Sequence, residues 1–90
     1  MIFQLTYTKE ALRDLHKLDR ATAERILKKL DFWRRQSNPI HFSKPLQGDF
    51  KDCYRFRVGD YRIIFRLNEF NKMTILLILR VQHRREIYRV

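Results

Sequence analysis

The 90-residue chain has room for a single domain over residues 1–90, and its 44% hydrophobic and 33% charged residues are typical of a folded domain. Twenty Lys and Arg against ten Asp and Glu give a formal net charge of +10, which predicts a polyanionic partner, nucleic acid first and an acidic protein second. The single Cys53 excludes an internal disulfide and a cysteine-based zinc site, as is typical of a protein in a reducing cytosol. The apolar run Met73–Leu79 is too short to span a bilayer, and the first ten residues lack the pattern of a signal peptide. We therefore expect a cytoplasmic protein.

The first half of the chain predicts one strand followed by two helices. Alternating apolar side chains over residues 2–7 are typical of a strand, and Thr8 then offers a hydroxyl oxygen that can cap a helix over Lys9–Leu18. Asp19 can cap a second helix over Arg20–Gln36, and the short link between the two predicts an antiparallel helical hairpin. The inner face of the second helix should carry Ala23, Ile26, Leu27, Leu30 and Trp33.

The second half of the chain predicts a sheet. Residues 37–51 form a connecting segment, after which the apolar pattern changes from helical spacing to the alternation of a strand. Gly59 and Asp60 separate two such strands as a type II′ hairpin turn, and a last strand over Met73–Val81 leads into a basic tail. The order β-α-α-β-β-β predicts an α+β domain whose helix pair covers one face of a small, mostly antiparallel sheet. The core face of the hairpin should consist of Tyr54, Phe56, Val58, Tyr61, Ile63 and Phe65.

The opposite face of the hairpin gathers Arg55, Arg57 and Arg62, which we call the arginine face. With Gly59 and Asp60 as the turn, Arg57 lies directly across from Arg62, and like charges in that position destabilise a sheet. No acidic residue of either strand falls on this face. Because guanidinium groups match phosphate oxygens, a bound phosphate would convert the repulsion into binding energy. A solvated outer face is the alternative, and the lack of any counter-charge favours an anion site.

The basic tail adds His83, Arg84 and Tyr88, whose side chains include groups that exchange protons or stack on a base. A lone histidine is more often structural, and we assign structural roles to His16 and His41. The sequence has no Gly-rich phosphate loop, no paired catalytic carboxylates and no cluster of metal ligands. We therefore expect neither a metal nor a cofactor.

Three segments together resemble the RelE/ParE toxin superfamily: TKEALRDLHKLDRATAERILKKL in the helical half, DCYRFRVGDYRIIF around the hairpin turn, and LILRVQHRREIYRV after it. The pairing of the hairpin block with the last segment is the specific part. The resemblance implies a compact antiparallel sheet with two N-terminal helices, in agreement with the pattern above. It also implies a type II toxin that forms a hetero-oligomer with an acidic antitoxin encoded beside it.

Within that family, RelE-like members cut mRNA in the ribosomal A site without a metal, by attack of a ribose 2′-hydroxyl on the adjacent phosphate. The products are a 2′,3′-cyclic phosphate and a 5′-hydroxyl. The resemblance places the catalytic positions of the family on Arg55, Arg57, Arg62, Arg84 and Tyr88, with His83 adjacent.

One departure changes the roles that the resemblance implies. The best-known RelE-type pattern has lysines at the two strand positions where this chain has Arg55 and Arg57. Arginine stays protonated, with a pKa above about 12, so it is a poor general base but a good stabiliser of an oxyanion. We therefore expect the arginine face to hold the scissile phosphate, His83 or Tyr88 to transfer protons, and Arg84 to neutralise the leaving 5′-oxygen.

Two other functions remain open at this point. ParE-like members of the family poison DNA gyrase, which requires the fold and the positive charge but not the full catalytic set. The replacement of lysine by arginine is also compatible with a decayed homologue that binds RNA without cutting it.

Overall fold

The computed structural model describes residues 3–46, 48, 52–71 and 73–84. The predicted order of elements and the α+β architecture are confirmed, with a 3₁₀ helix and a two-residue strand added in the connecting segment. No helix within these ranges is long enough and apolar enough to cross a membrane. The elements are β1 Gln4–Tyr7, α1 Lys9–His16, α2 Arg20–Arg34, a 3₁₀ helix Pro39–Phe42, β2 Lys44–Pro45, β3 Tyr54–Val58, β4 Tyr61–Phe70 and β5 Met73–His83.

Both helices begin where the sequence predicts. Thr8 is the N-cap of α1, and its hydroxyl oxygen accepts a hydrogen bond from the backbone N–H of Ala11 at 3.1 Å. Asp19 caps α2 in the same way, through the N–H of Thr22 at 3.3 Å. Each cap satisfies a backbone donor that has no partner within the helix. The two helices end earlier than predicted, at His16 and Arg34.

The strands of the described residues form one sheet in the order β1-β5-β4-β3-β2. β3, β4 and β5 pair as antiparallel neighbours, and β2 pairs with β3 at the outer edge. β1 instead lies parallel to β5, with Gln4–Tyr7 against residues 75–78. The register of β4 with β5 shifts between Ile64 and Phe65. The sheet is therefore mostly antiparallel, as predicted, with one parallel pair that joins the first strand to the last.

The core lies between the sheet and α2 and is built around stacked aromatic rings. Trp33 of α2 stacks on Phe56 of β3 with ring centroids 4.1 Å apart, and Phe56 stacks on Phe65 of β4 at 4.2 Å. The predicted core face of the hairpin is confirmed, because its central side chains are buried while Tyr54 and Tyr61 at its ends are partly buried against the core. The other buried side chains of this cluster are Ala11, Ile26, Leu30, Val58, Ile63, Leu76, Ile78 and Val81.

The prediction that Leu27 belongs to the core face of α2 is wrong. Its side chain is 40% exposed, whereas Ile26 and Leu30 are fully buried. One residue advances about 100° around a helix of 3.6 residues per turn, so Leu27 is rotated past the edge of the face that the sheet covers. Leu27 and the half-buried Ala23 instead line an apolar groove of about 300 Å³ shared with α1.

Where β1 ends, α1 continues the hydrogen bonding along the edge of β5. The hydroxyl of Thr8 donates to the carbonyl oxygen of Leu79 at 2.8 Å, and the carboxylate of Asp14 accepts from the N–H of Val81 at 2.9 Å. Asp14 also accepts two hydrogen bonds from the guanidinium of Arg80, at 2.8 and 3.1 Å. Burial alone would raise the pKa of Asp14, but the hydrogen bonds from Arg80 and Val81 outweigh it and lower that pKa below its ordinary value. We call Asp14, Arg80 and Val81 the Asp14 clamp.

Candidate nucleic-acid interface

The arginine face lies on the side of the sheet away from the helices. Arg57 and Arg62 are cross-strand partners, as the register of the hairpin predicts. Their neighbours Phe56 and Ile63 are fully buried in the core, and alternation along a strand therefore turns Arg57 and Arg62 to the opposite side. Arg55 lies two residues from Arg57 on that same side. Arg57 is exposed, while Arg55 and Arg62 are half-buried.

The ion pairs of the described residues include no carboxylate partner for Arg55 or Arg57. Glu24 and Asp31 pair with arginines in or next to α2, and Asp14 pairs with an arginine of β5. A hydrogen bond from the neighbouring arginine side chain holds the pKa of Asp31 below its ordinary value, so this carboxylate remains ionised in its local pair near neutral pH. These acids are engaged in local pairs with arginines on the helices and on β5, so they do not supply a counter-charge to Arg55 and Arg57.

The hairpin turn between β3 and β4 is contacted by a cation of α2. Gly59 has φ +58° and Asp60 has no positive φ, the combination that a type II′ turn requires. The Nε of Arg57 donates to the carbonyl oxygen of Gly59 at 3.2 Å. The guanidinium of Arg25 lies against Gly59, in the space that a Cβ would occupy there. Sequence reasoning missed Arg25 because its position on α2 is that of an ordinary exposed helix residue.

A small pocket opens at the sheet edge next to the arginine face. Its volume is about 100 Å³, and Phe42, Lys44, Arg55 and Arg57 line it. Lys44 is the cross-strand partner of Arg55, so the short β2 places a lysine beside two arginines. Phe42 is 47% exposed, and its ring meets the Phe32 ring edge-on at 6.2 Å. Phe42 ends a 3₁₀ helix of four residues and Lys44 begins a strand of two, and neither element is long enough to show a periodicity in the sequence.

The structure does not bring His83 together with the arginine face. β5 continues to His83 instead of ending at Val81, and His83 is the cross-strand partner of Tyr61. Gln82 is the partner of Arg62, so His83 and the buried Val81 share the opposite side of the sheet. The His83 ring meets the Tyr61 ring edge-on at 5.1 Å. This position does not favour proton transfer by His83 at a phosphate held by the arginines.

Arg84 lies at the turn of the hairpin that carries the arginine face. Its backbone N–H donates to the carbonyl oxygen of Asp60 at 2.8 Å, and its Nε is 3.8 Å from a carboxylate oxygen of Asp60. The two side chains are 59% and 58% exposed, so this long ion pair is weak and Arg84 can exchange it for a stronger anion. Tyr88, the other residue of the predicted terminal pair, lies outside the described residues.

The arrangement is chemically suited to binding phosphate groups. The guanidinium donors of the arginine face lie on adjacent strands, and Lys44 extends the set at the edge of the sheet. Cations that are positioned before a reaction stabilise negative charge that develops on a phosphate during it. Within the ranges described, no three His, Cys, Asp or Glu side chains are grouped so as to hold a metal ion.

Comparison with known proteins finds relatives over nearly the whole chain. A family model described as the ParE toxin of the type II toxin–antitoxin system parDE matches residues 5–88. Toxin RelG of Mycobacterium tuberculosis is 33% identical over 89 residues, which are 99% of each chain. The toxin–antitoxin complex RelBE2 from the same organism contains a chain that is 30% identical, with a TM-score of 0.76 over 93% of this chain and 100% of that one. An archaeal RelE–RelB complex from Pyrococcus horikoshii matches with 29% identity and a TM-score of 0.71, over 93% of this chain and 97% of the other.

Proposed function

Because this chain belongs to the RelE/ParE family of type II toxin–antitoxin toxins, we propose that it is an endoribonuclease that cuts mRNA in the ribosomal A site. The observation that carries the proposal is the register of Arg57 against Arg62, with Arg55 on the same face. Two like charges in register destabilise a sheet, whereas a phosphodiester between them accepts hydrogen bonds from both. The net charge of +10 supports binding of a polyanion such as RNA.

In the proposed reaction the ribose 2′-oxygen forms a bond to the adjacent phosphorus while the bond from phosphorus to the 5′-oxygen breaks. The 2′-hydroxyl loses a proton and the 5′-oxygen gains one, which leaves a 2′,3′-cyclic phosphate and a 5′-hydroxyl. The arginine face stabilises the charge on the non-bridging oxygens, and Arg84 neutralises the leaving 5′-oxygen. Proton transfer is assigned to Tyr88, because His83 is on the other side of the sheet.

The toxin is proposed to be silenced by an acidic antitoxin with which it forms a hetero-oligomer. RelBE2 of M. tuberculosis is a toxin–antitoxin complex, and the similar chain of P. horikoshii is likewise found in a RelE–RelB complex. Carboxylates of an acidic partner complement a chain of net charge +10, and this complementarity speeds association. An antitoxin segment that pairs with the arginine face would also exclude RNA from it.

A second candidate function is inhibition of DNA gyrase. The matching family model is that of the ParE toxin, and ParE-like members are the gyrase poisons of this family. This function needs the fold and its charge but no cleavage of RNA. The two candidates therefore differ in whether mRNA or DNA is broken when the toxin is expressed.

Arg57→Ala and Arg62→Ala test the nuclease proposal, with Arg66→Ala as the matched control. Arg66 is an exposed arginine of β4 on the same side as Arg62, about 13 Å further along the strand at ~3.3 Å per residue. Removing one guanidinium that contacts the reacting phosphate should slow cleavage by about 100-fold or more. On mRNA-programmed ribosomes, the wild type and Arg66→Ala should therefore cut mRNA at similar rates. Arg57→Ala and Arg62→Ala should cut it at least about 100-fold more slowly.

Two measurements separate the outcomes of this experiment. Thermal unfolding of each variant shows whether a lost activity reflects lost chemistry or a lost fold. Primer extension on mRNA from expressing cells should show cuts within codons for the wild type and Arg66→Ala. Normal cleavage by Arg62→Ala would contradict the assigned site, and DNA breaks with intact mRNA would select gyrase inhibition instead.

A further inference from the structure

The pocket at the sheet edge combines one aromatic ring with three cationic side chains. Its lining consists of Phe42, Lys44, Arg55 and Arg57, with no carboxylate among them. The Phe42 ring is 47% exposed and meets the ring of Phe32 of α2 edge-to-face, at 6.2 Å and 75°. An exposed ring beside cations suits a nucleotide, because the base stacks on the ring while the phosphate oxygens contact the cations.

The pocket adjoins the place where the scissile phosphate is proposed to bind. Arg57 lines the pocket and is also the cross-strand partner of Arg62, so it belongs to both sites. Lys44 faces Arg55 from β2, which is the outer edge of the sheet. A single RNA strand that crosses the arginine face from β4 toward β2 therefore meets the phosphodiester site first, then Phe42 and Lys44.

We propose that this pocket is a nucleotide subsite of the nuclease: the base next to the scissile phosphate stacks on Phe42, and Lys44 binds the following phosphate. The inference rests on the proposed function and names the part of the RNA that the sheet edge holds. Stacking accepts any base, since every base has a π-face, so the subsite adds affinity and alignment rather than sequence choice. It also gives a role to Phe42, whose ring the fold leaves about half exposed.

An acidic peptide is the competing occupant, since carboxylates are attracted by the same cations. The aromatic ring decides in favour of RNA. A carboxylate gains little from the exposed face of Phe42, because the ring quadrupole is negative there. A base gains about 1–3 kcal/mol from such a ring, which corresponds to at least a fivefold change in affinity.

The test measures binding of an uncleavable, fluorescein-labelled 2′-O-methyl hexauridylate, and of an abasic oligomer of the same length, by fluorescence anisotropy. Phe42→Ala should weaken binding of the hexauridylate about tenfold and leave the abasic oligomer unaffected, and Phe42→Tyr should retain wild-type affinity. Phe70→Ala is the matched control, because Phe70 is 67% exposed at the far end of β4. Lys44→Ala should weaken both oligomers and reduce the slope of log K against log salt by about 0.7, whereas Lys28→Ala on α2 should not.

Each outcome decides the inference. If Phe42→Ala binds the hexauridylate as Phe70→Ala does, or if the wild type binds neither oligomer, the subsite is refuted. A loss of affinity for a hexaglutamate peptide in Phe42→Ala, with unchanged affinity for the hexauridylate, assigns the pocket to an acidic peptide and also refutes the subsite. If the subsite is refuted in either way but the wild type still cuts mRNA on ribosomes, the proposed nuclease function is retained. Base-dependent binding through Phe42 without any mRNA cleavage refutes the nuclease function and leaves the nucleotide-binding pocket.

Discussion

Replacing Asp14 with alanine should destabilise the fold severely, because this one carboxylate joins α1 to the exposed edge of β5. The Asp14 side chain is 9% exposed and accepts hydrogen bonds from Arg80 and from the backbone N–H of Val81. Losing the acceptor for the Val81 N–H costs about 1–3 kcal/mol. Losing the ion pair costs at most about 1 kcal/mol, because the Arg80 side chain is 42% exposed. The two terms sum to about 1–4 kcal/mol, and a loss of about 2.5 kcal/mol corresponds to a decrease of roughly 10–20 °C in Tm for a domain of this size.

Urea unfolding followed by circular dichroism measures this effect against two other variants. Asp14→Asn keeps a side-chain oxygen for the Val81 N–H and removes only the charge, so it should cost about 1 kcal/mol. Glu24→Ala breaks an ion pair with Arg20 whose side chains are 53% and 92% exposed, and it should change stability by less than about 0.5 kcal/mol. Equal urea midpoints for Asp14→Ala and Glu24→Ala would refute the reasoning from burial.

The Asp14 clamp should also contribute to acid sensitivity. The pKa of Asp14 is lower in the folded chain than in the unfolded chain, where an aspartate titrates near about 3.9. The contribution to stability is therefore complete above that pH and is lost as the pH falls through the lowered folded-state pKa. The Asp14→Asn variant should not lose this part of its stability in acid. Asp19 and Asp31, whose pKa values are also lowered, still contribute to the loss of stability at low pH. Urea midpoints measured from pH 7 to pH 2 should converge in acid for Asp14→Asn and the wild type, and parallel curves would disprove the linkage.

Two further substitutions address the turn and the histidine. Gly59→Ala places a side chain at φ +58° and against Arg25, so it should lower the free energy of unfolding by about 1–2 kcal/mol. Thermal unfolding measures this against Asp60→Ala, and equal Tm values for the two variants would mean that the turn does not require glycine. His83→Gln should cut RNA within about threefold of the wild-type rate and with the same dependence on pH from 5.5 to 8, because His83 lies on the far side of the sheet. A loss of about 100-fold or more, together with a flattened pH profile, would instead make His83 an acid–base group.

The hairpin and its arginine face could be predicted because their information is local. Gly59 fixes the turn, and a two-residue turn fixes the register of the strands on either side. The alternation of apolar and basic residues then assigns the faces, so that Arg57 opposite Arg62 follows from the sequence alone. The helix caps at Thr8 and Asp19 are local in the same sense, since each side chain bonds to a backbone N–H three residues later.

What the sequence could not predict depends on contacts between distant segments. The parallel pairing of β1 with β5, and the hydrogen bond from Thr8 to Leu79, join residues more than 70 positions apart. β5 continues to His83, two residues past its predicted end. At this end of the strand, Val81 donates a hydrogen bond to Asp14, and residues 81–83 pair with β4. That extension settles the face of His83, because a strand that runs past Val81 must alternate. Lys44 was missed for a similar reason, since only its pairing with Arg55 across β2 and β3 gives it a place in the site.

The distribution of charge over the sheet links the stability of this chain to its proposed function. Glu24 and Asp31 of α2 pair with nearby arginines, and Asp14 of α1 pairs with Arg80 at the edge of β5, so these acids act where they stabilise the fold. Arg57 and Arg62 are cross-strand partners with like charges, an arrangement that on its own disfavours the sheet. An anion that accepted hydrogen bonds from both guanidinium groups would convert this like-charge contact into a binding contact. The phosphodiester of RNA and the carboxylates of an acidic antitoxin would both bind to these two arginines, so the proposed silencing is expected to be competitive with RNA.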